Sequence, residues 1–302
     1  MRKILQHLMI LSAVLFSSCL QAQVISDSLV RNLNCTTLTK QTVLLSLQPD
    51  AFDKSRHLPV LNWGDSNGLA NCWSLSHAQR LTFYLGRFGE AAPTESSAAK
   101  IYLQRILGLY KGDTPTSESV FPILNLQALY MQLSLGEYNG DFEQMTFAKT
   151  ISDYQKWRFY RLSNMGMILG NRDRSTKTNT QTYQKILADL AKGRLPIVIL
   201  RPALTDQHSV LVKRYLPPEE NSYEVKFEVY DSNDPRHDNI LVFDRLTSEF
   251  TAPAIVARLG IGTSSPPVGV FLVDDDDMDE IQTALYQHYQ NQCETAGRSH
   301  AP

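Results

Sequence analysis

The stretch Tyr223 to Tyr230 reads Tyr-Glu-Val-Lys-Phe-Glu-Val-Tyr. Apolar and charged residues alternate with period two, the pattern of a strand with one buried face. Its neighbours in sequence are also strand-like. Pro196 to Leu200 is a buried-strand run, and Ser209 to Tyr215 is a second strand. Pro217-Pro218-Glu219-Glu220-Asn221 is a turn that makes Ser209–Tyr215 and Tyr223–Tyr230 a natural hairpin. Ile240 to Phe243 gives a further strand, and Val268 to Val273 another. The second half of the chain is therefore expected to form an antiparallel sheet.

The first half has a helical period. A polar turn, Asn67-Gly68-Leu69-Ala70-Asn71, runs into Cys72, and Leu75, Ala78, Leu81, Thr82 and Leu85 then recur at helical spacing. A helix is expected from Cys72 to about Phe88, ended by Gly89. A second is expected over about Ala98 to Tyr110, and a third over about Val120 to Leu135, with Pro122 in its first turn. Phe142 to Trp157 is aromatic-rich and takes no clear period. Asn171 to Thr182 carries no apolar residue and reads as a solvated loop, with an amphipathic helix over Tyr183 to Ala191 closed by Lys192-Gly193. Helices first and an antiparallel sheet afterwards is an α+β order. The acidic run Asp274 to Glu280 opens a last helix through about Gln290, where negative charge suits the dipole. The spaced ligands and glycine of a calcium loop are absent from that run.

The N-terminus reads as an export signal. Arg2 and Lys3 precede the short apolar run Leu8 to Phe16. Two processing sites compete. Leu20-Gln21-Ala22 suits a signal peptidase cutting before Gln23, whereas Phe16-Ser17-Ser18-Cys19 is a lipoprotein-like box in which a lipidated Cys19 would anchor the chain to a membrane. In both cases residues 1–22 leave the fold, and the product is periplasmic, outer-membrane-anchored or secreted. Residues 23–60 are expected to form an N-terminal arm, with a strand-like run Thr42 to Leu47 and His57 on the surface. The 302-residue length allows one large domain or two small ones, and a 43% hydrophobic share is enough for a core. A net charge of -2 leaves no basic footprint for nucleic acid.

Export makes the cysteine count informative. Cys19 is removed or lipidated, leaving Cys35, Cys72 and Cys293. In an oxidising compartment an even pair plus one odd thiol points to a Cys35–Cys293 disulfide and a reactive Cys72. At a helix start the positive dipole end favours a thiolate. A thiol nucleophile needs a base, and the base needs a group to orient it. His77 lies five positions along the Cys72 helix and points away. His288 and His300 belong to the last helix and tail, and His237 sits in a polar loop. His208 begins the strand Ser209–Tyr215, a rigid place at a loop mouth. The paired strand ends in Tyr230-Asp231-Ser232-Asn233-Asp234-Pro235, which delivers Asp231 or Asn233 beside His208.

These residues resemble the papain-like cysteine peptidase superfamily, in particular bacterial papain-like and C39-like proteins. Asn71-Cys72-Trp73-Ser74 is similar to the Cys-Trp helix start of that family. The runs Leu190 to Val198, His208 to Val212 and Val229 to Pro235 are similar to its second half. The Cys72 to His208 separation falls within the family's window of ~130–150 residues. The resemblance covers about residues 60–245 and implies a catalytic domain over 61–273, with 274–302 as a C-terminal helix and tail. It implies Cys72, His208 and Asp231 as the triad. Papain-like enzymes carry a Gln about six residues before the Cys for the oxyanion hole; here that position is Ser66, with Asn67 beside it, and the family's Cys-Gly-Ser-Cys form is absent. The implied function is hydrolysis of peptide or amide bonds in a peptide or protein substrate, with no cofactor and no metal. Transglutaminases share the Cys-Trp helix and triad logic, so acyl transfer is the alternative, and a silent envelope binding protein is the third.

Overall fold

The structure is a computed structural model. It describes residues 24–27, 30–47, 49–58, 61–62, 72–88, 105, 109, 116, 120–123, 176–202, 207–259, 267–273 and 277–299. The signal segment, Cys19, the turn carrying Ser66 and Asn67, and the run 142–157 lie outside the described residues. So does nearly all of the expected helix over 98–110, of which Arg105 and Leu109 are helical.

The chain starts with the hairpin β1 (Val24–Asp27) and β2 (Val30–Asn34). Helix α1 follows (Cys72–Leu85), then β3 (Gly86–Phe88) and β4 (Phe121–Ile123), which pair in parallel. Helix α2 (Thr176–Ala191) leads into the sheet: β5 (Ile197–Arg201), β6 (His208–Leu216), β7 (Glu224–Asp231), β8 (Asn239–Asp244) and β9 (Glu249–Thr251). Then come α3 (Pro253–Arg258), β10 (Gly269–Leu272) and α4 (Asp277–Ser299). This is an α+β protein with a six-stranded antiparallel sheet in the order β10-β5-β6-β7-β8-β9. Val268 bridges Phe250 of β9, so the curled sheet brings its two edges together. Among the described residues no helix is long and apolar enough to cross a membrane.

Strand alternation divides the interior into two layers. Val210, Val212, Phe227, Val229, Leu241 and Phe243 face one way and pack with Ile186 of α2 and Ile255 and Val256 of α3. Ile197, Leu211 and Tyr230 face the other way, toward α1, α4 and the segment before α1. Leu33, Val43, Leu44, Ala51 and Leu58 of that segment, and Ile281, Leu285 and Tyr289 of α4, share this core. Cys35 of the first segment and Cys293 of α4 stand at disulfide distance, 2.09 Å between sulfurs and 5.6 Å between Cα atoms.

Several local expectations are corrected. Thr42–Leu47 is not a strand. Hydrogen bonds from Thr42 and Val43 back to Thr39 start a turn that continues as a 3₁₀ helix over Leu44–Ser46. The described start of the expected Val120–Leu135 helix is strand β4; among the described residues it pairs with β3 alone, and the edge of a sheet is where a strand can take Pro122. The Cys72 helix stops at Leu85, as Gly86–Phe88 turns to pair with β4. The polar run from Thr176 onward is the first two turns of α2. Asn179 and Thr182 are buried on the same side as Ile186, and Asn179 donates to the Ser248 carbonyl at 3.1 Å. That tertiary contact outweighs the weak helix propensity of Thr and Asn. The helix ends as expected at Gly193, whose φ of 73° and close approach to Leu44 leave no room for a side chain.

Candidate active site

Cys72 is the first residue of α1 and is buried, and every residue from Ser74 to Leu85 is buried as well. A helix enclosed on all sides holds its N-terminus rigidly, and its first-turn N–H groups and dipole aim at the sulfur's end. The helix docks on β6. Ser76, one turn after Cys72, donates its hydroxyl to the Ser209 carbonyl at 3.3 Å. Ser209 in turn donates its own hydroxyl to Cys72 Sγ at 3.5 Å.

His208 opens β6, where its residues pair with β5 on one side and β7 on the other. Val210 lies opposite Asp231, so His208 and Asp231 are diagonal neighbours on one face. Their side chains meet: His208 Nε2 lies 2.6 Å from Asp231 Oδ1, and both residues are buried. The imidazole also acts on the Cys72 sulfur, favouring its ionised form. Burial works against charge on His208, but the bonds to Asp231 and Cys72 outweigh it and push its pKa up to about 10. Burial likewise works against a Cys72 thiolate, yet the imidazole and the Ser209 donors hold the thiol below its ordinary value. The two directions both favour a thiolate beside an imidazolium.

Asp231 is held from several sides. Its Oδ1 accepts the Asn233 backbone N–H at 2.8 Å, and Arg258 Nη1 lies 3.4 Å from Oδ2. Burial raises its pKa, and these partners together with His208 bring it below the ordinary carboxylate value. Asn233 itself turns away from His208, its Oδ1 accepting from Asn62 Nδ2 at 2.9 Å. Of the two residues the sequence leaves open, Asp231 is the one at the imidazole.

Arg258 was missed in the sequence. It reaches Asp234 at 2.5 Å and Asn239 at 2.7 Å as well as Asp231, fastening the β7–β8 turn. Pro253 followed by Ala-Ile-Val-Ala-Arg was its available signal, a proline at the first position of a short helix. His57, expected on the surface, is buried. Its Nδ1 donates to the Pro235 carbonyl at 2.9 Å, and its Nε2 accepts from Lys213 Nζ at 3.0 Å. Of the other described histidines, His77 packs edge-on against Trp73, and His237 is exposed beside Asp234. Neither a family model, nor a curated protein, nor a solved structure matches this chain.

Proposed function

We propose that this chain is an exported thiol hydrolase that cleaves peptide or amide bonds through Cys72, His208 and Asp231 on a papain-like frame. The observation that carries the reading is one buried contact chain. The sulfur sits at a helix start and is tied to β6 by the Ser209 hydroxyl at 3.5 Å, His208 beside Ser209 favours its ionised form, and Asp231 holds that imidazole at 2.6 Å. The Cys-Trp helix start, the order Cys, His, Asp and the antiparallel sheet support the same reading.

In the proposed cycle the Cys72 thiolate attacks the scissile carbonyl carbon, and the C=O π pair moves to oxygen. N–H groups at the start of α1 stabilise that oxyanion, with Asn67 or Ser66 as the expected side-chain donor. As the intermediate collapses the C–N bond breaks and the amine takes a proton from His208, leaving a thioester. Water then gives a proton to His208 while its oxygen attacks the thioester. The S–C bond breaks, releasing the acid and restoring the thiolate. Asp231 keeps the imidazole oriented and stabilises its charge throughout.

A thiol-directed activity probe tests the reading. At pH 6 the wild type should label, Cys72→Ala should not, and His208→Ala should label more slowly by on the order of 10²–10⁴-fold. Undiminished labelling of Cys72→Ala overturns it. With a cleavable peptide, mass spectrometry in the presence of added amine separates a free acid from a new amide, and the amide alone would move the reading to acyl transfer.

A further inference from the structure

Residues 208–212 of β6 are all buried, and three of the five are apolar. Within that run Ser209 keeps a hydroxyl at 3% exposure. A buried hydroxyl costs stability unless it finds a partner, and here the partner is Cys72 Sγ. A neutral thiol is a weak acceptor, whereas a thiolate is a strong one, so an anion is the form of Cys72 that satisfies this donor. Position is secured from behind, because Ser209 pairs with Ile199 of β5 and its carbonyl accepts from Ser76. The hydroxyl thus has a fixed strand beneath it and a fixed helix start above it.

We propose that Ser209 is a catalytic residue whose hydroxyl cradles the Cys72 thiolate, keeping the nucleophile ionised before substrate arrives. The proposal rests on the reading of Cys72 as a nucleophile and adds a member to the site that neither the triad nor its spacing supplies. Among the described residues, the ionisable groups around the sulfur are His208 from β6, with Asp231 of β7 behind it and Arg258 of α3 behind Asp231. Ser209 is uncharged, so it strengthens the ion pair without competing with His208 for Asp231. Its cost is chemical: a thiolate that accepts an extra hydrogen bond is a weaker nucleophile. The hydroxyl therefore trades intrinsic reactivity for a larger ionised fraction.

That trade has opposite signs in two parts of one experiment. The rate of Cys72 alkylation by iodoacetamide is measured from pH 4 to 10, and the thiolate absorbance is titrated against Cys72→Ala as blank. In Ser209→Ala the midpoint should rise by about one pH unit, so the ionised fraction below both midpoints falls about tenfold and, after the gain in thiolate nucleophilicity, alkylation there falls about threefold. The plateau rate should rise about threefold, following the ~0.4–0.5 dependence of thiolate nucleophilicity on pKa. Ser209→Thr and Ser209→Val have matching shapes and differ in the hydroxyl, so Thr should keep the wild-type midpoint and Val should shift like Ala. This pair decides the matter if Ser209→Ala does not fold. A low wild-type midpoint left unchanged in Ala, or equal in Thr and Val, overturns the cradle and leaves the nucleophile reading standing. A wild-type midpoint near the ordinary thiol value overturns both.

Discussion

Asp231 accepts from His208, from the Asn233 backbone and from Arg258, at 2.6, 2.8 and 3.4 Å. Two of these contacts fix where its carboxylate points, and the third is the one that would matter to the reaction. Asp231→Asn preserves the shape but removes the charge facing the imidazole. It is expected to lower turnover on the order of 10²-fold, less than His208→Ala. Asn233→Ala keeps the backbone N–H to Asp231 and loses only the side-chain contact to Asn62, so its loss should stay under about tenfold. Steady-state kinetics on the three variants checks the order, and a larger loss in Asn233→Ala would reverse the assigned roles.

Strand β6 carries a bulge between Val212 and Arg214, where one residue has no counterpart on β7. The extra residue is Lys213, which keeps the face of Leu211 two residues before it, and the bulge brings Arg214 to that side as well, against Glu228. Its ammonium is buried, 2.9 Å from Glu228, 2.6 Å from Asp238 and 3.0 Å from His57. Lys213→Met leaves Asp238 without its cation and Glu228 with only Arg214, at 2.7 Å. Breaking a buried pair typically costs ~3–5 kcal/mol, and the surviving Arg214 puts the expected loss near the low end, about 3 kcal/mol, read from the urea midpoint. His57 completes this cluster and ties the segment before α1 to the β7–β8 turn through Pro235. Burial, and then the charge of Lys213, lower its pKa from 6.5 to about 4. Below about pH 6.5 the unfolded chain takes a proton at His57 that the folded chain refuses. Stability should therefore fall as pH drops from about 6.5 toward about 4, by up to about 3 kcal/mol. His57→Asn keeps a donor for Pro235 and has nothing to titrate, so its stability relative to wild type should improve between pH 7 and 4.5 in thermal melts.

The Cys35–Cys293 pair joins the two ends of the described chain across a separation of 258 residues. It lies beside other ties of α4 to the core: Arg87 donates to the Tyr289 hydroxyl at 2.8 Å, Gln282 donates to the Lys40 carbonyl, and Arg194 pairs with Asp279 at 2.6 Å. Loop entropy assigns such a cross-link on the order of 4–5 kcal/mol. Reduction, or Cys35→Ser with Cys293→Ser, should lower the melting temperature by roughly 10 °C. Because the noncovalent ties remain, Cys72 labelling at 25 °C should be unchanged. Equal melting temperatures with and without reductant would show that the bridge adds no stability.

What was legible in the sequence rests on short-range periodicity. The alternation of Tyr223–Tyr230, the Pro-Pro turn and the strand beginning at His208 define a hairpin, whereas the register that brings Asp231 to the face of His208 also needs the one-residue slip between Val212 and Arg214. Cys72 at a helix start needs only a turn followed by a 3.6 period, and the Cys35–Cys293 pairing needs only a count. Other features depend on partners far along the chain, so no local pattern announces them. Thr176–Thr182 has the composition of a loop and becomes helix because β9 and its turn give Asn179 a carbonyl to hold. Phe121–Ile123 becomes a strand because Gly86–Phe88 lies beside it. His57 is buried because Lys213 and Pro235 close over it, and a one-residue bulge that leaves no mark in an apolar–polar pattern brings Arg214 to the side of Lys213 and Glu228. Arg258 reaches Asp231 only through the packing of a six-residue helix. Strand alternation and helix starts are set by each residue's neighbours in the chain. Burial of charge, register slips and side-chain clamps are set by neighbours in space, and these only the tertiary structure decided.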